Sequence, residues 1–236
     1  MIKKISIALL ATVAATVATI GANKMLNEVY ILNDQVTETS ITPLVQDLTN
    51  DPTLLEKVMT TRIIINSPGG SVNQLDFLKA VRDTSHRKIQ TELPKFAASA
   101  AADIFLIGDT RLMAKHAEIL FHEVRRMLGG GIFGGGVMVT FTDLKEIHES
   151  GKLGPNSDHE GKEKEIVELV RTTFTEKELT EIVEKLQESH DGHVEFLMER
   201  LDMKKSEVLE KLLIPNVDVT LTHDEAIELR VATGTL

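Results

Sequence analysis

The 236-residue chain contains no cysteine and no tryptophan, and aromatic residues make up only 4% of it. The lack of cysteine excludes disulfides, thiolate catalysis and cysteine-ligated metals. With one tyrosine and eight phenylalanines, the core has to be mainly aliphatic and rich in alanine. Positive charge is also scarce, since 26 Lys and Arg stand against 36 Asp and Glu, for a net charge of −10. Because phosphate backbones repel an acidic protein, nucleic acid is not expected as a partner.

Charge is missing from one long stretch near the N-terminus. The first four residues include Lys3 and Lys4, and residues 5–20 carry no charge. Lysines followed by an apolar run are typical of signal peptides and signal anchors. We therefore expect residues 1–26 to be a signal peptide or membrane anchor, with residues 5–20 associating with the membrane, and the protein to be exported or anchored in the cell envelope. The alternative is a cytoplasmic protein in which this segment docks on the domain or on a partner subunit.

Strands and helices alternate in the first half of the chain. Apolar and β-branched runs predict strands at residues 29–32, 62–66, 88–93, 111–114 and 118–121, and helical spacing predicts helices at 41–48, 75–81 and 100–107. This alternation is typical of a parallel α/β core with crossover connections. The second half predicts a glycine-rich segment at 129–136, a loop at 152–164, a long amphipathic helix over 166–186, a helix capped by Asp202 that runs to 213, a strand at 217–221 and a short helix at 224–229.

Three features of the chain predict hydrolytic chemistry. Ser99 lies in a run of alanines, a Ser-Pro-Gly-Gly-Ser turn at residues 67–71 precedes it, and His122 follows it on an apolar strand. A hydroxyl nucleophile needs a base to remove its proton and backbone N–H donors to bind the oxyanion. Small neighbours let the backbone turn sharply and let a substrate carbonyl approach. We therefore predict a serine hydrolase with Ser99 as nucleophile and His122 as base.

Four segments together resemble the proteolytic subunit of the Clp protease family. They are the glycine-turn segment 63–72, the nucleophile segment 97–100, the histidine segment 121–123 and the segment 218–226 that carries the third catalytic residue in that family. The resemblance extends over residues 29–229. It implies an α/β fold with a ClpP/crotonase-like repeated β-β-α core and an extended helical handle insertion. The peptidase domain would span residues 27–236, with a glycine-rich segment and enlarged handle at 129–200.

The resemblance also implies roles for individual residues. Ser99 would be the nucleophile, His122 the general base and Asp218 the group that orients the imidazole. The backbone N–H groups of Gly70 and Ala100 would form the oxyanion hole. No metal or cofactor is implied. The spacing of His190 and His193 occurs in metal sites, but we interpret this pair as lying on a solvated turn at a helix break.

Assembly and substrate follow from the same resemblance. The expected protein is a serine endopeptidase that cleaves unfolded polypeptides or peptides inside a ring-forming homo-oligomer, heptameric or with stacked rings. An AAA+ unfoldase would be a partner if the protein is cytoplasmic. An exported subunit would have no ATP and would work without one.

Three alternatives remain open at this stage. Lys95, Phe96 and Ala101 stand where the family usually has glycines beside the nucleophile, which favours a catalytically inactive scaffold subunit. The apolar N-terminal run favours a membrane-associated peptidase resembling signal peptide peptidase A, which uses a serine–lysine pair and needs neither His122 nor Asp218. A crotonase-type acyl-CoA enzyme shares the core fold and a similar oxyanion hole.

Overall fold

The structure is a computed structural model, and it describes residues 27–49, 60–70, 82, 87–129, 136–154, 157 and 159–236. The chain divides into two compact units, one formed by residues 1–117 with 231–236 and the other by residues 118–230. The predicted N-terminal signal or anchor, the predicted helix at 75–81 and most of the glycine-rich segment lie outside the described residues.

The first unit is built on a parallel sheet. Its described strands are β1 (Asn27–Leu32), β2 (Thr60–Ile65), β3 (Lys88–Leu93), β4 (Phe96–Ala98), β5 (Thr110–Met113) and, at the C-terminus, β10 (Gly234–Thr235), and its described helices are α1 (Glu38–Thr49) and α2 (Ala100–Leu106). Five of these strands form one sheet in the order β1-β2-β3-β5-β10, with every pairing parallel. The predicted α/β class with a parallel core is confirmed.

The amino-acid sequence accounts for the placement of these elements. Along β2, the side chains of Thr61, Ile63 and Ile65 are buried and alternate with partly exposed ones, as expected for a strand whose two faces differ. Every residue of α2 is buried. Its first three residues are alanines, and such small side chains let a helix pack closely against its neighbours. Helix α2 therefore lies in the core, and Ser99 stands at its start.

The second unit combines antiparallel strands with helices. It contains β6 (Glu118–Phe121), β7 (Arg125–Leu128), β8 (Val137–Thr140) and β9 (Val219–Thr222), and the helices α3 (Phe141–Ser150), α4 (Glu163–Thr173), α5 (Glu176–Leu201), α6 (Lys205–Lys211) and α7 (His223–Glu228). Strand β6 pairs with β9, and β7 pairs with β8 in a hairpin. A buried apolar cluster joins the hairpin to α3, α4 and α5; it consists of Leu128, Val139, Leu144, Ile147, Ile166, Val170 and Leu179.

Three predictions for the second unit are wrong. The single long helix predicted over 166–186 is two helices. Phe174 has an extended backbone that ends α4, and Thr175 begins α5 with a capping box. Asp202 does not begin a helix but ends α5 in a left-handed conformation, with φ at 54°. His190 and His193 do not lie on a solvated turn; both are buried within α5, which continues through Gly192 because tertiary packing outweighs the low helix propensity of glycine. The β7–β8 hairpin was not predicted.

Candidate active site

Ser99 lies at a sharp turn between a strand and a helix. It follows β4, begins α2, and has φ at 55° and ψ at −132°. A non-glycine residue held at positive φ costs on the order of 1–3 kcal/mol and occurs preferentially at functional sites. A strained serine at a strand-to-helix turn is also the geometry that presents a hydroxyl nucleophile in many hydrolases. The Ser99 side chain is half-buried. The backbone carbonyl oxygen of Ser99 accepts the N–H of Ala102 at 2.8 Å.

The glycine turn packs directly against this serine. Gly69 has φ at 89°, and a Cβ added there would lie 2.7 Å from Ser99 Cβ and 2.3 Å from the carbonyl oxygen of Ala98. The turn is tied to β4 by two backbone hydrogen bonds, Ser67 N–H to the Phe96 oxygen at 3.0 Å and Ala98 N–H to the Ser67 oxygen at 3.1 Å. Glycine is therefore required at position 69 both by the backbone conformation and by the closeness of Ser99.

The two amides predicted to form the oxyanion hole lie on these adjoining segments. A Cβ added to Gly69, the residue before Gly70, would lie 3.2 Å from the amide nitrogen of Ala100. Val36 N–H donates to the Gly69 oxygen at 2.9 Å in a parallel bridge between Val36 and Gly70. In a parallel bridge of this kind Val36 supplies both polar groups, so the Gly70 N–H is directed away from Val36. Ala100 is the first residue of α2, where backbone N–H groups lack partners within the helix.

His122 and Asp218 both lie in the second unit, next to the paired strands β6 and β9. The β6–β9 register places Phe121 opposite Val219. Phe121 directly precedes His122 and Val219 directly follows Asp218, so the antiparallel pairing ends next to both residues. Both residues stand just beyond the ends of their strands. The resemblance supplied Asp218, and the register brings together the strand ends next to which the two residues lie.

The side chains of this pair make other hydrogen bonds as well. His122 Nδ1 lies 2.6 Å from the carbonyl oxygen of Glu123. Because a carbonyl oxygen only accepts, Nδ1 is the donor, and the basic lone pair of the imidazole is then on Nε2. This is the tautomer in which a histidine can take a proton from a serine. The Asp218 carboxylate, whose side chain is 45% exposed, is bonded to the guanidinium of Arg125.

A buried carboxylate beside His122 was missed by sequence reasoning. Glu123 is only 1% exposed. Its Oε1 accepts the N–H of Asn216 at 2.9 Å, and its Oε2 accepts the hydroxyl of Thr142 at 2.7 Å. The only available signal was an acidic residue directly after a histidine on an apolar strand, because the partners lie 19 and 93 residues further along the chain.

Histidines in the helical part of this unit show no metal-binding arrangement. Within the described residues, no group of three or more His, Asp or Glu side chains is placed to hold an ion. His190 stacks on the ring of Phe141, with 5.0 Å between the ring centroids. Burial lowers the pKa of His190, and this effect outweighs the opposing attraction of the Glu123 carboxylate. Burial therefore favours the neutral form of the His190 imidazole.

Comparisons with known proteins agree with this architecture. A family model described as Clp protease matches residues 14–148, which is more than half of the chain. The chain belongs to the Clp protease family. The match includes Gly70, Ser99 and His122 and ends before Asp218.

Solved structures extend the likeness to most of the chain. One similar chain is a ClpP1 point mutant from Listeria monocytogenes, with 14% sequence identity and a TM-score of 0.53 over 89% of this chain and 91% of that one. At this identity the likeness concerns the fold, and it confirms the predicted ClpP-like class. A search of the curated proteins finds no match. Within the described residues, no helix has the length and apolar character needed to cross a membrane.

Proposed function

We propose that this protein is a serine endopeptidase that hydrolyses peptide bonds of unfolded polypeptides or peptides. The observation that carries this proposal is the left-handed backbone of Ser99 at a strand-to-helix turn, with Gly69 packed against it. A backbone strain of this kind persists only where the surrounding structure enforces it. Membership of the Clp protease family supports the same class of chemistry.

The proposed reaction proceeds in two steps. The Ser99 hydroxyl oxygen attacks the scissile carbonyl carbon while His122 Nε2 takes the hydroxyl proton. The N–H groups of Gly70 and Ala100 bind the resulting oxyanion. His122 then gives the proton to the leaving amine, and an acyl enzyme remains on Ser99. A water molecule, activated by His122 in the same way, releases the second product. Asp218 stabilises the imidazolium in both steps.

We further propose that this activity belongs to a ring-forming homo-oligomer, heptameric or with stacked rings, in which enclosure admits only extended chains. Residues 5–20 support export or membrane anchoring, because they form an uncharged run after two lysines. A cytoplasmic location would instead favour an AAA+ unfoldase as partner. Sequencing the N-terminus of the mature protein after cell fractionation decides between these two settings.

A catalytically inactive scaffold is a second candidate, and one observation favours it. The Asp218 carboxylate is bonded to Arg125, and His122 Nδ1 is bonded to the Glu123 carbonyl oxygen. Both bonds use groups that a Ser-His-Asp triad would join to each other. A scaffold subunit would keep both bonds, whereas in an active subunit Asp218 would leave Arg125 and share the Nδ1 proton of His122 with the Glu123 carbonyl oxygen.

Hydrolysis of a fluorescently labelled unfolded protein by the purified full-length chain tests the proposal. Ser99→Ala and His122→Ala are each expected to lower kcat by roughly 10⁶-fold, and Asp218→Asn by roughly 10⁴-fold, as loss of the corresponding triad member does in other serine proteases. The matched controls are Ser150→Ala and His148→Ala, which alter exposed side chains of the same types on α3. Full activity of His122→Ala would favour a serine–lysine mechanism, and undetectable hydrolysis by the wild-type assembly would favour the scaffold.

A further inference from the structure

The buried Glu123 links the two segments that carry His122 and Asp218. We infer that Glu123 is a positioning residue, which sets the orientation of the His122 imidazole through its backbone and the location of the Asp218 segment through its carboxylate. This inference rests on the proposed function, because it assigns a role within the same catalytic set. Glu123 itself touches no reacting atom.

The backbone of Glu123 acts on the neighbouring imidazole. Its carbonyl oxygen receives the Nδ1 proton of His122 at 2.6 Å. A proton held on Nδ1 leaves Nε2 as the basic nitrogen, and the bond also restricts rotation of the ring. The orientation of the imidazole therefore depends on where the 123 peptide group is held.

The carboxylate of Glu123 fixes the 123 peptide group by binding Thr142 and Asn216. Oε2 accepts both the hydroxyl of Thr142, at 2.7 Å, and its backbone N–H, at 3.3 Å. Oε1 accepts the N–H of Asn216 at 2.9 Å. Both carboxylate oxygens are therefore engaged, and each accepts from a different segment of the chain. With three accepted hydrogen bonds and only 1% exposure, this side chain connects the start of α3 to the Asn216 turn.

The Asn216 end of the connection determines where Asp218 lies. Asn216 is 2% exposed and has φ at 60°, so the chain reverses there in a left-handed conformation two residues before Asp218. Its side-chain oxygen accepts the hydroxyl of Thr140 at 2.5 Å, and that hydroxyl also caps α3 by accepting the Asp143 N–H at 3.0 Å. The strained turn is therefore held at both its backbone and its side chain, and Glu123 supplies the backbone contact.

Removing the carboxylate should affect the chemical step more than substrate binding. Glu123→Ala leaves the Asn216 N–H and the Thr142 hydroxyl without their acceptor and releases the turn before Asp218. A misplacement of about 1 Å in a catalytic group costs on the order of 100-fold in rate. We expect kcat to fall by about 100-fold for Glu123→Ala while KM changes by less than about threefold.

Two further variants separate positioning from general structure. Glu123→Gln keeps an acceptor for the Asn216 N–H and can donate its amide to the Thr142 hydroxyl, so it should restore most of the kcat that Glu123→Ala loses. Thr142→Val removes one contact and leaves the bond to Asn216, so kcat should fall about threefold to tenfold with KM unchanged. Glu149→Ala, which alters an exposed carboxylate on α3, is the matched control.

Hydrogen–deuterium exchange of residues 214–220 provides a readout that does not need activity. Faster exchange there in Glu123→Ala, and wild-type exchange in Glu123→Gln, would support the inference. Unchanged exchange in Glu123→Ala, or a wild-type kcat in a folded Glu123→Ala or Thr142→Val variant, would overturn it. If Glu123→Ala fails to fold, the kcat values of Thr142→Val and Glu123→Gln test the inference instead. Failure of the proposed function would be recognised separately, because the wild-type protein would then show no hydrolysis that depends on Ser99. The exchange data would still decide whether Glu123 holds the segment that carries Asp218.

Discussion

The closeness of the glycine turn to Ser99 gives the sharpest prediction about the nucleophile. We consider Gly69→Ala. The native φ of 89° is unfavourable for alanine by roughly 1–2 kcal/mol. The new methyl group would also lie 2.3 Å from the Ala98 oxygen and 2.7 Å from Ser99 Cβ. Overpacking of this kind costs about 1–3 kcal/mol. We therefore expect Gly69→Ala to lower the free energy of unfolding by about 2–5 kcal/mol.

Gly161→Ala provides a matched control for the backbone contribution. Gly161 has φ at 80°, close to that of Gly69, but a Cβ added there would meet no atom within 4 Å. Its substitution should cost only the conformational part, about 1–2 kcal/mol. The difference in the free energy of unfolding between the two variants then measures the steric contact of the turn with the Ala98–Ser99 backbone.

Urea denaturation followed by circular dichroism measures both values, since the chain has no tryptophan for a fluorescence assay. Reactivity of Ser99 toward a fluorophosphonate provides the second readout. Because Gly69→Ala would displace the nucleophile, its labelling rate should fall by about 100-fold, whereas Gly161→Ala should label at the wild-type rate. Equal stability and equal labelling of the two variants would refute the packing of Gly69 against Ser99.

Three other predictions concern ion pairs, pH and strain. Glu92→Gln removes the carboxylate that binds the Arg62 guanidinium at 2.7 and 2.9 Å, so the free energy of unfolding in urea should fall by about 1–3 kcal/mol. The control is Glu181→Gln, which breaks an exposed pair with Lys177 at 3.8 Å and should lower this free energy by less than about 0.5 kcal/mol. Equal losses in the two variants would contradict the prediction. Burial lowers the pKa of His190 below 6.5 in the folded protein, so on acidification the unfolded chain binds this proton at a higher pH than the folded one. Proton binding then favours unfolding, and the melting temperature should fall as the pH drops below about 6.5. This loss should be smaller in His190→Phe, and an identical pH dependence of the two proteins would contradict it. Ser99→Gly should be more stable than Ser99→Ala by about 1 kcal/mol, because both lack the hydroxyl but only glycine relieves the positive φ; the reverse order would contradict the strained turn.

The first unit could be predicted from the sequence because its signals are local. A strand of a parallel sheet appears as an apolar or β-branched run, and β2 contains three consecutive isoleucines. The alanines after Ser99 predict a closely packed helix, and α2 is fully buried. The motifs around Gly69 and Ser99 gave the family resemblance, which the family match confirms.

The second unit depends on contacts that no local pattern reveals. The amphipathic spacing continues across the junction at Thr175, so the break between α4 and α5 depends on a capping box rather than on a loss of periodicity. Aspartate is favoured at helix starts but also tolerates the left-handed conformation that ends a helix, and tertiary packing decides which of the two Asp202 adopts. The bond from Arg125 to Asp218 and that from Glu123 to Asn216 each join residues 93 positions apart.

The identity of the nucleophile is tested most directly by mass spectrometry of the full-length assembly after treatment with a fluorophosphonate. The account predicts one adduct per chain, located on Ser99 by fragmentation, with labelling slowed by orders of magnitude in His122→Ala. No adduct on the folded wild-type protein, or an adduct on a different serine, would contradict it.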